Sequence, residues 1–336
     1  MARTSARRTP PRLLLGLGVV LLVQALFVVS YVGALHKPQP RDVPFGTTGS
    51  TSLTAAVEQQ ISLRTKTYAD EAAARRAIDE RTIYGALISG DSGATLLVAP
   101  AASNAIATAL TTAFTKVAAA TGQKLAVVQV HELADGDRLG IVSFLVAMAL
   151  VVGGYLSATI ATTLGGQASG RRLAVALGGV AVAGALVTDV IAGPVLGAIP
   201  DGHFFELWGL FVLIMLAVAL AAAGLQRVLG AAGTLIVIVA FVIFGAPAAG
   251  GTLARPFLPG FWATIGPFLP PGAATSVIRN TIYFDGNGIM QPLLVLAAYL
   301  VAGTVVVLGA RRRSTPQPSE AEADVETAAS AAAIVV

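Results

Sequence analysis

The sequence predicts a mainly α-helical, polytopic membrane protein with six transmembrane helices and a small extracytoplasmic α/β domain inserted between helices 1 and 2. Three observations predict it. The 336 residues are 55% hydrophobic and only 12% charged, about half the roughly 25% of an ordinary soluble domain. The charge is segregated: Gly140–Ala310 holds just Arg171, Arg172, Asp189, Asp201, Glu206, Arg227, Arg255, Arg279 and Asp285. Six apolar runs reach the roughly 20 residues that a bilayer core about 30 Å thick demands of a helix.

Residues 1–12 are a basic N-terminal stretch with Arg3, Arg7, Arg8 and Arg12, followed by the first span at 13–35. Val32-Gly33-Ala34 near its end also fits a cleaved signal peptide. The apolar run, however, exceeds the usual signal core of about 7–15 residues, and a retained helix gives the simpler topology. The other spans read as 141–164, 173–199, 204–225, 229–246 and 292–310. The N-terminal arginines, Arg171 and Arg172, Arg227 and Arg311–Arg313 then fall on one side. By the excess of basic residues in cytoplasmic loops, both termini are expected in the cytoplasm and residues 36–139 outside a plasma membrane. The basic residues flank apolar runs and line no single face, so nucleic acid is not an expected partner.

Residues 36–139 balance ten Lys and Arg against ten acidic side chains, as a folded, water-exposed module would. A Pro/Gly/Ser/Thr-rich linker is expected over His36–Ser52, then a strand over Ser62–Tyr68 with period-two alternation. Asp70 is placed to cap a helix running to about Glu80. Ile83–Ile88 and Ala94–Val98 read as strands joined by Ser89-Gly90-Asp91-Ser92-Gly93. Ser103–Thr121 is an amphipathic helix with Ile106, Leu110, Phe114 and Val117 on one face and Gly122 to stop it. Leu125–Val130 is the last strand. The order implies a two-layer α/β sandwich with a small core that leans on the membrane part. Residues 311–336, with Glu320, Glu322, Asp324 and Glu326 among Ala, Ser and Pro, read as a disordered cytoplasmic tail.

Little points to covalent chemistry. Gly90-Asp91-Ser92-Gly93 matches the surroundings of a trypsin-like nucleophile, but it reads as a hairpin turn without the base and acid of a triad. His36, His131 and His203 are scattered and cysteine is absent, which leaves no metal-ligand spacing. No G-x-x-x-x-G-K-[ST] occurs, and the Gly165–Arg171 run reads as a loop. No catalytic, cofactor-binding or metal-binding residue is expected.

The polar residues within apolar sequence are more informative. Asp189, in the third span, either faces a polar interior or partner or lies near the outer headgroups. Glu206 and Trp208 read as interfacial, and Gly153, Gly154, Gly178, Gly179 and Gly184 as close-packing positions rather than a dimer seam. Residues 247–291 carry Pro247, Pro256, Pro259, Pro267, Pro270 and Pro271 among Phe257, Phe261, Trp262 and Phe268. No regular helix accommodates this. A re-entrant or interface-lying hairpin fits best, with a partly ordered external loop as the alternative.

Several short stretches resemble a known family. They are Ala77-Ile78-Asp79-Glu80-Arg81 with Tyr84-Gly85-Ala86-Leu87, and Leu133-Ala134-Asp135-Gly136-Asp137-Arg138-Leu139-Gly140. Leu258-Pro259-Gly260-Phe261-Trp262, Leu269-Pro270-Pro271-Gly272-Ala273 and Arg279-Asn280 complete them. With one span, a module and five further spans, the chain resembles type-2 ABC exporter permeases. Within these it is similar to the YhgE/Pip-like (phage infection protein) and DUF3533 branch. The resemblance implies a homodimeric or heterodimeric permease that transports a hydrophobic, lipid-like or drug-like substrate outward, driven by a separate cytoplasmic ATP-binding subunit. Asp189, Arg279, Phe257, Phe261, Trp262 and Phe268 are the candidate path or gate residues. In one respect the chain departs from the family: the loop at about Gly165–Arg172 is too short for the usual coupling helix. The alternative is therefore a non-transporting membrane scaffold or receptor whose external domain binds a cell-envelope partner.

Overall fold

A computed structural model describes residues 11–49, 52–90, 93–165 and 168–309. Arg3, Arg7 and Arg8, the Asp91-Ser92 turn, Gly166-Gln167 and the acidic tail lie outside the described residues. The fold is mainly helical. Among the described residues six helices are long and apolar enough to cross a membrane: Leu17–Leu35, Val142–Leu164, Gly170–Val195, Phe204–Leu229, Ala231–Ala248 and Met290–Gly309. The chain is a multi-pass membrane protein.

Helix α1 (Pro11–Leu35) is followed by β1 (Val43–Thr47), α2 (Ser52–Glu58), β2 (Leu63–Thr67) and α3 (Glu71–Asp79). Then come β3 (Gly85–Gly90), β4 (Gly93–Val98), α4 (Asn104–Thr121) and β5 (Leu125–Gln129). The five strands form one sheet in the order β2-β1-β3-β4-β5. β1 is parallel to β2 and β3, β3 and β4 form the antiparallel hairpin, and β5 is parallel to β4. Asp70 caps α3 by accepting from the Ala73 N–H at 2.7 Å, and Ser103 caps α4 by accepting from Ile106. Gly122 ends α4 in the left-handed region at φ 67°, which glycine enters without Cβ strain.

Two expectations for this module are corrected. The presumed linker contains β1, an interior strand of the sheet, flanked by β2 and β3. Its Pro44 has no N–H to give, but its carbonyl accepts from Tyr84 N at 3.0 Å. Gly46 is there because a Cβ would lie 2.9 Å from Ile83 Cδ1 and 3.0 Å from Ala86 Cβ. Composition disguised the strand as a loop. The sheet is also covered on both faces, so the module has three layers and not two. Phe45, Leu87, Leu96 and Val98 face α2 and α4, while the alternate residues Ala86 and Leu97 face α3. Parallel neighbours require crossover helices, and those helices bury both faces.

The bundle comprises α5 (Val142–Leu164), α6 (Gly170–Val190), α7 (Phe204–Leu229), α8 (Ala231–Val237), α9 (Gly245–Ala248), α10 (Gly260–Ile265), α11 (Pro270–Tyr283) and α12 (Met290–Gly309). α7 is the central post, packed by α5, α6 and α12. Small residues permit the approach: a Cβ on Gly184 would lie 2.8 Å from Met215 Sδ, and one on Gly303 2.4 Å from Ala221 N. Gly178 and Gly179 face open space. Gln226 ties α7 to α5 through Thr159 and Thr162, each at 2.8 Å, the kind of polar bond that joins helices in lipid.

Two spans depart from α geometry. The third ends in a π-helical turn, Ile191–Val195, around Pro194. The fifth joins α8 to α9 through π-helical Ile238–Phe244. Residues 247–291 are a chain of short helices separated by 3₁₀ turns at Arg255–Phe257 and Gly266–Phe268. They end in α11, which starts on Pro270-Pro271, where a missing N–H costs nothing. α11 is buried throughout Pro270–Ile282 except Ser276, against α5, α7, α9 and α12. This part of the segment is a buried helix and not a loop.

Candidate functional site

The module and the bundle meet at the C-terminal end of α11, and the meeting is built from polar groups. Asp137 closes a 3₁₀ turn just before α5 and is buried. Its Oδ1 accepts from the N–H groups of Ile141 and Val142 at 2.8 and 3.0 Å, which satisfies two orphan donors at the start of α5. Its Oδ2 accepts from the Tyr283 hydroxyl at 3.1 Å.

Arg279 enters the same junction from α11 and is almost fully buried. Its Nη2 donates to Gly140 O at 2.9 Å and Gly251 O at 3.3 Å, and its Nη1 to Gly250 O at 3.2 Å. Gly140 and Gly250 hold φ of 70° and 71°, a left-handed backbone at two of the three carbonyl-bearing residues. The negative charge of Asp137 acts on Arg279 without forming an ion pair within 4 Å. Burial pushes the Arg279 guanidinium below its usual pKa. Such a charge persists inside only when acceptors surround it, and here three carbonyls do.

Arg81 approaches from the module. It follows α3 with φ 63°, so its side chain turns off the helix toward α11. Its Nε donates to Asn280 Oδ1 at 3.1 Å, and its guanidinium lies over Phe284, 4.4 Å from the ring centroid, and 5.9 Å from Tyr84. Asn280 in turn donates to Gly288 O at 3.2 Å. Phe284 is fully buried in the second layer of the module core, and His131, which meets Asp79 at 2.7 Å, lies tilted against it with ring centroids 4.5 Å apart. On the other side of the sheet, Ala254 and Phe257 complete the core against α4. The module therefore has bundle residues in both of its hydrophobic layers.

Between the two parts lies a cavity of about 230 Å³ lined by Arg81, Arg255 and Arg279 with Tyr84, Asn280 and Gln291. Burial, and then the neighbouring Arg279 and Arg255 charges, pull the Arg81 guanidinium down to about 10, so it stays cationic at neutral pH. Arg255 is exposed at the rim of the recess. The recess is rich in hydrogen-bond donors: the three guanidiniums, the Asn280 and Gln291 amides and the Tyr84 hydroxyl line it. Among the described residues, no group of three His, Cys, Asp or Glu could hold a metal ion.

The six sequence-derived candidates do not converge on one place. Arg279 is in the junction, and Phe257 sits beside Arg255 but points into the module core. Trp262 donates to Ser30 Oγ at 3.3 Å and so marks the contact with α1, and it meets Phe261 edge-on at 5.2 Å. Phe261 and Phe268 are 55% and 61% exposed, on the outer surface of the bundle. Asp189 is buried in α6, its Oδ2 lacks a hydrogen-bond partner among the described residues, and it is not among the groups acting on Arg279. The candidates omitted Arg81, Asp137, Asn280 and Arg255. A signal for Asp137 existed, an Asp four residues ahead of a span, but Arg81 carries no local mark of its distant partner.

No family model, no curated protein and no solved structure matches the chain.

Proposed function

We propose that the chain is a membrane permease subunit of the type-2 ABC exporter kind. It moves a hydrophobic, lipid-like or drug-like substrate outward as a dimer, driven by a separate cytoplasmic ATPase. Both termini are cytoplasmic, the first span is retained, and the α/β module stands outside the plasma membrane between spans one and two. The observation that carries this proposal is the broken-helix construction of the bundle. π-helical turns interrupt the third and fifth spans, and the Pro-rich segment ends in α11. Irregular backbone at membrane depth is tolerated where protein or a water-filled path surrounds it, and π-bulges gather at functional sites. Transporters build substrate sites from such discontinuous helices.

The test is purification of the full chain from its own host's membranes in mild detergent. An ATPase that co-purifies, and an efflux phenotype on deletion, are the expected outcomes. A chain that elutes alone and whose loss changes no efflux overturns the proposal. A specific observation favours a second function, that of a scaffold or receptor. Only residues 165–169 separate α5 from α6, on the end of the bundle remote from the module, and so short a connection offers an ATPase no coupling helix.

A further inference from the structure

We propose that the cavity between the module and the bundle binds a phosphate oxyanion, carried either by a membrane lipid headgroup or by a soluble phosphate. This goes beyond export and holds whether or not the chain transports anything.

Three guanidiniums share the recess, and their charges act on one another: those of Arg279 and Arg255 both oppose the charge of Arg81. Among the described residues, none of the three forms an ion pair within 4 Å. Asp137 compensates Arg279 alone, and it does not line the cavity. Glu80, a lining carboxylate, is exposed and unpaired within 4 Å. Three cations gathered against one exposed carboxylate in the lining repel, and the repulsion grows as water is excluded. An anion between them relieves it.

The Arg81 donors are also held in place. Each Arg offers five N–H groups in a rigid fork. Arg279 commits Nη1 and Nη2 to carbonyls, but Arg81 commits only Nε, and Arg255 commits none among the described residues. The two rings beside Arg81 hold its fork in position. A solvated surface Arg has neither restraint. Two free forks converging from different elements match the several oxygens of a phosphate better than the two of a carboxylate, since forks bind phosphate in pairs of parallel bonds. The volume of about 230 Å³ far exceeds the roughly 10–15 Å³ that one water needs, so a phosphate with its first substituent fits.

The test uses the full chain, delipidated in detergent. One arm titrates inorganic phosphate by calorimetry. The other uses native mass spectrometry to compare retention of phosphatidylglycerol with that of diacylglycerol, which has no phosphate. Binding of phosphate alone identifies a soluble source, and preferential retention of phosphatidylglycerol identifies a headgroup. Arg255→Gln, at the exposed rim, should fold normally and weaken the positive arm at least about tenfold, the effect of one lost charge-assisted hydrogen bond. Arg81→Lys keeps the charge, loses the fork and should weaken it as well. The proposal is overturned if neither arm binds, if diacylglycerol is held as well as phosphatidylglycerol and phosphate does not bind, or if Arg255→Gln binds like the unaltered chain.

Discussion

The Arg81 guanidinium and the Asn280 side-chain carbonyl meet at 3.1 Å, although 199 residues separate them in the chain. One belongs to the turn after α3 and the other to α11, so this bond crosses from the module to the bundle. If it couples them, Arg81→Gln and Asn280→Ala should be non-additive. Each alone should cost about 1–3 kcal/mol, the worth of a hydrogen bond to a charged group. The double variant should cost less than the sum by about 1 kcal/mol. Thermal unfolding of the four proteins in one detergent measures this. Strict additivity would show that the contact carries no coupling.

Asp137 serves two structures at once, the start of α5 and the charge of Arg279. Asp137→Ala strands two N–H groups and the Tyr283 hydroxyl and removes the counter-charge, so a loss of about 2–5 kcal/mol is expected. Asp137→Asn retains an acceptor oxygen but no charge and should fall between. Equal stability of the unaltered protein and Asp137→Ala would refute both roles.

Gly303 and Gly179 separate packing from propensity. A Cβ on Gly303 would meet backbone atoms of Leu220 and Ala221 at 2.4–2.8 Å, so Gly303→Ala must force α12 away from α7. The expected cost is about 1–3 kcal/mol. Nothing lies within 4 Å of the corresponding position at Gly179, and Gly179→Ala should be neutral or slightly stabilising. Denaturation of the two variants side by side decides, and a costly Gly179→Ala would instead indicate a partner on that face.

Ser30 is fully buried on α1, where it donates to Ile243 O at 2.6 Å and accepts from Trp262 Nε1 at 3.3 Å. Ser30→Val leaves the indole N–H without that acceptor and should cost about 1–3 kcal/mol. Cross-linking between α1 and the fifth span should also fall. Unchanged cross-linking would mean that α1 is held by apolar packing alone.

The proposed topology can be tested without background labelling, because the chain has no cysteine. Lys124→Cys on the module should react with an impermeant maleimide in intact cells. Arg171→Cys, at the far end of the bundle, should react only after permeabilisation. Reaction of both in intact cells would place the two on the same side and defeat the topology.

Much of the module could be read from local chemistry. Asp70 and Ser103 cap the helices they precede, and the β3–β4 hairpin falls where the Gly-rich turn puts it. β1 escaped because its Pro44 and Gly46 are residues that disfavour a strand in isolation. They are tolerated there because Pro44 is used through its carbonyl and Gly46 by the absence of a side chain. Arg279 was legible as an oddity in an apolar segment, whereas its partners Gly140, Gly250 and Gly251 were not.

By itself, then, the amino-acid order determined that this chain is a bundle of membrane-length apolar helices carrying a small capped and turned α/β module. Those features follow from free energies of transfer and backbone preferences summed over neighbouring residues. Only the tertiary structure decided that α11 is a buried hub and that Arg81, Arg255 and Arg279 share one recess. It also decided that Phe257 and Phe284 complete the module's two hydrophobic layers. Those facts depend on which distant surfaces exclude water together, and no local pattern of residues encodes that.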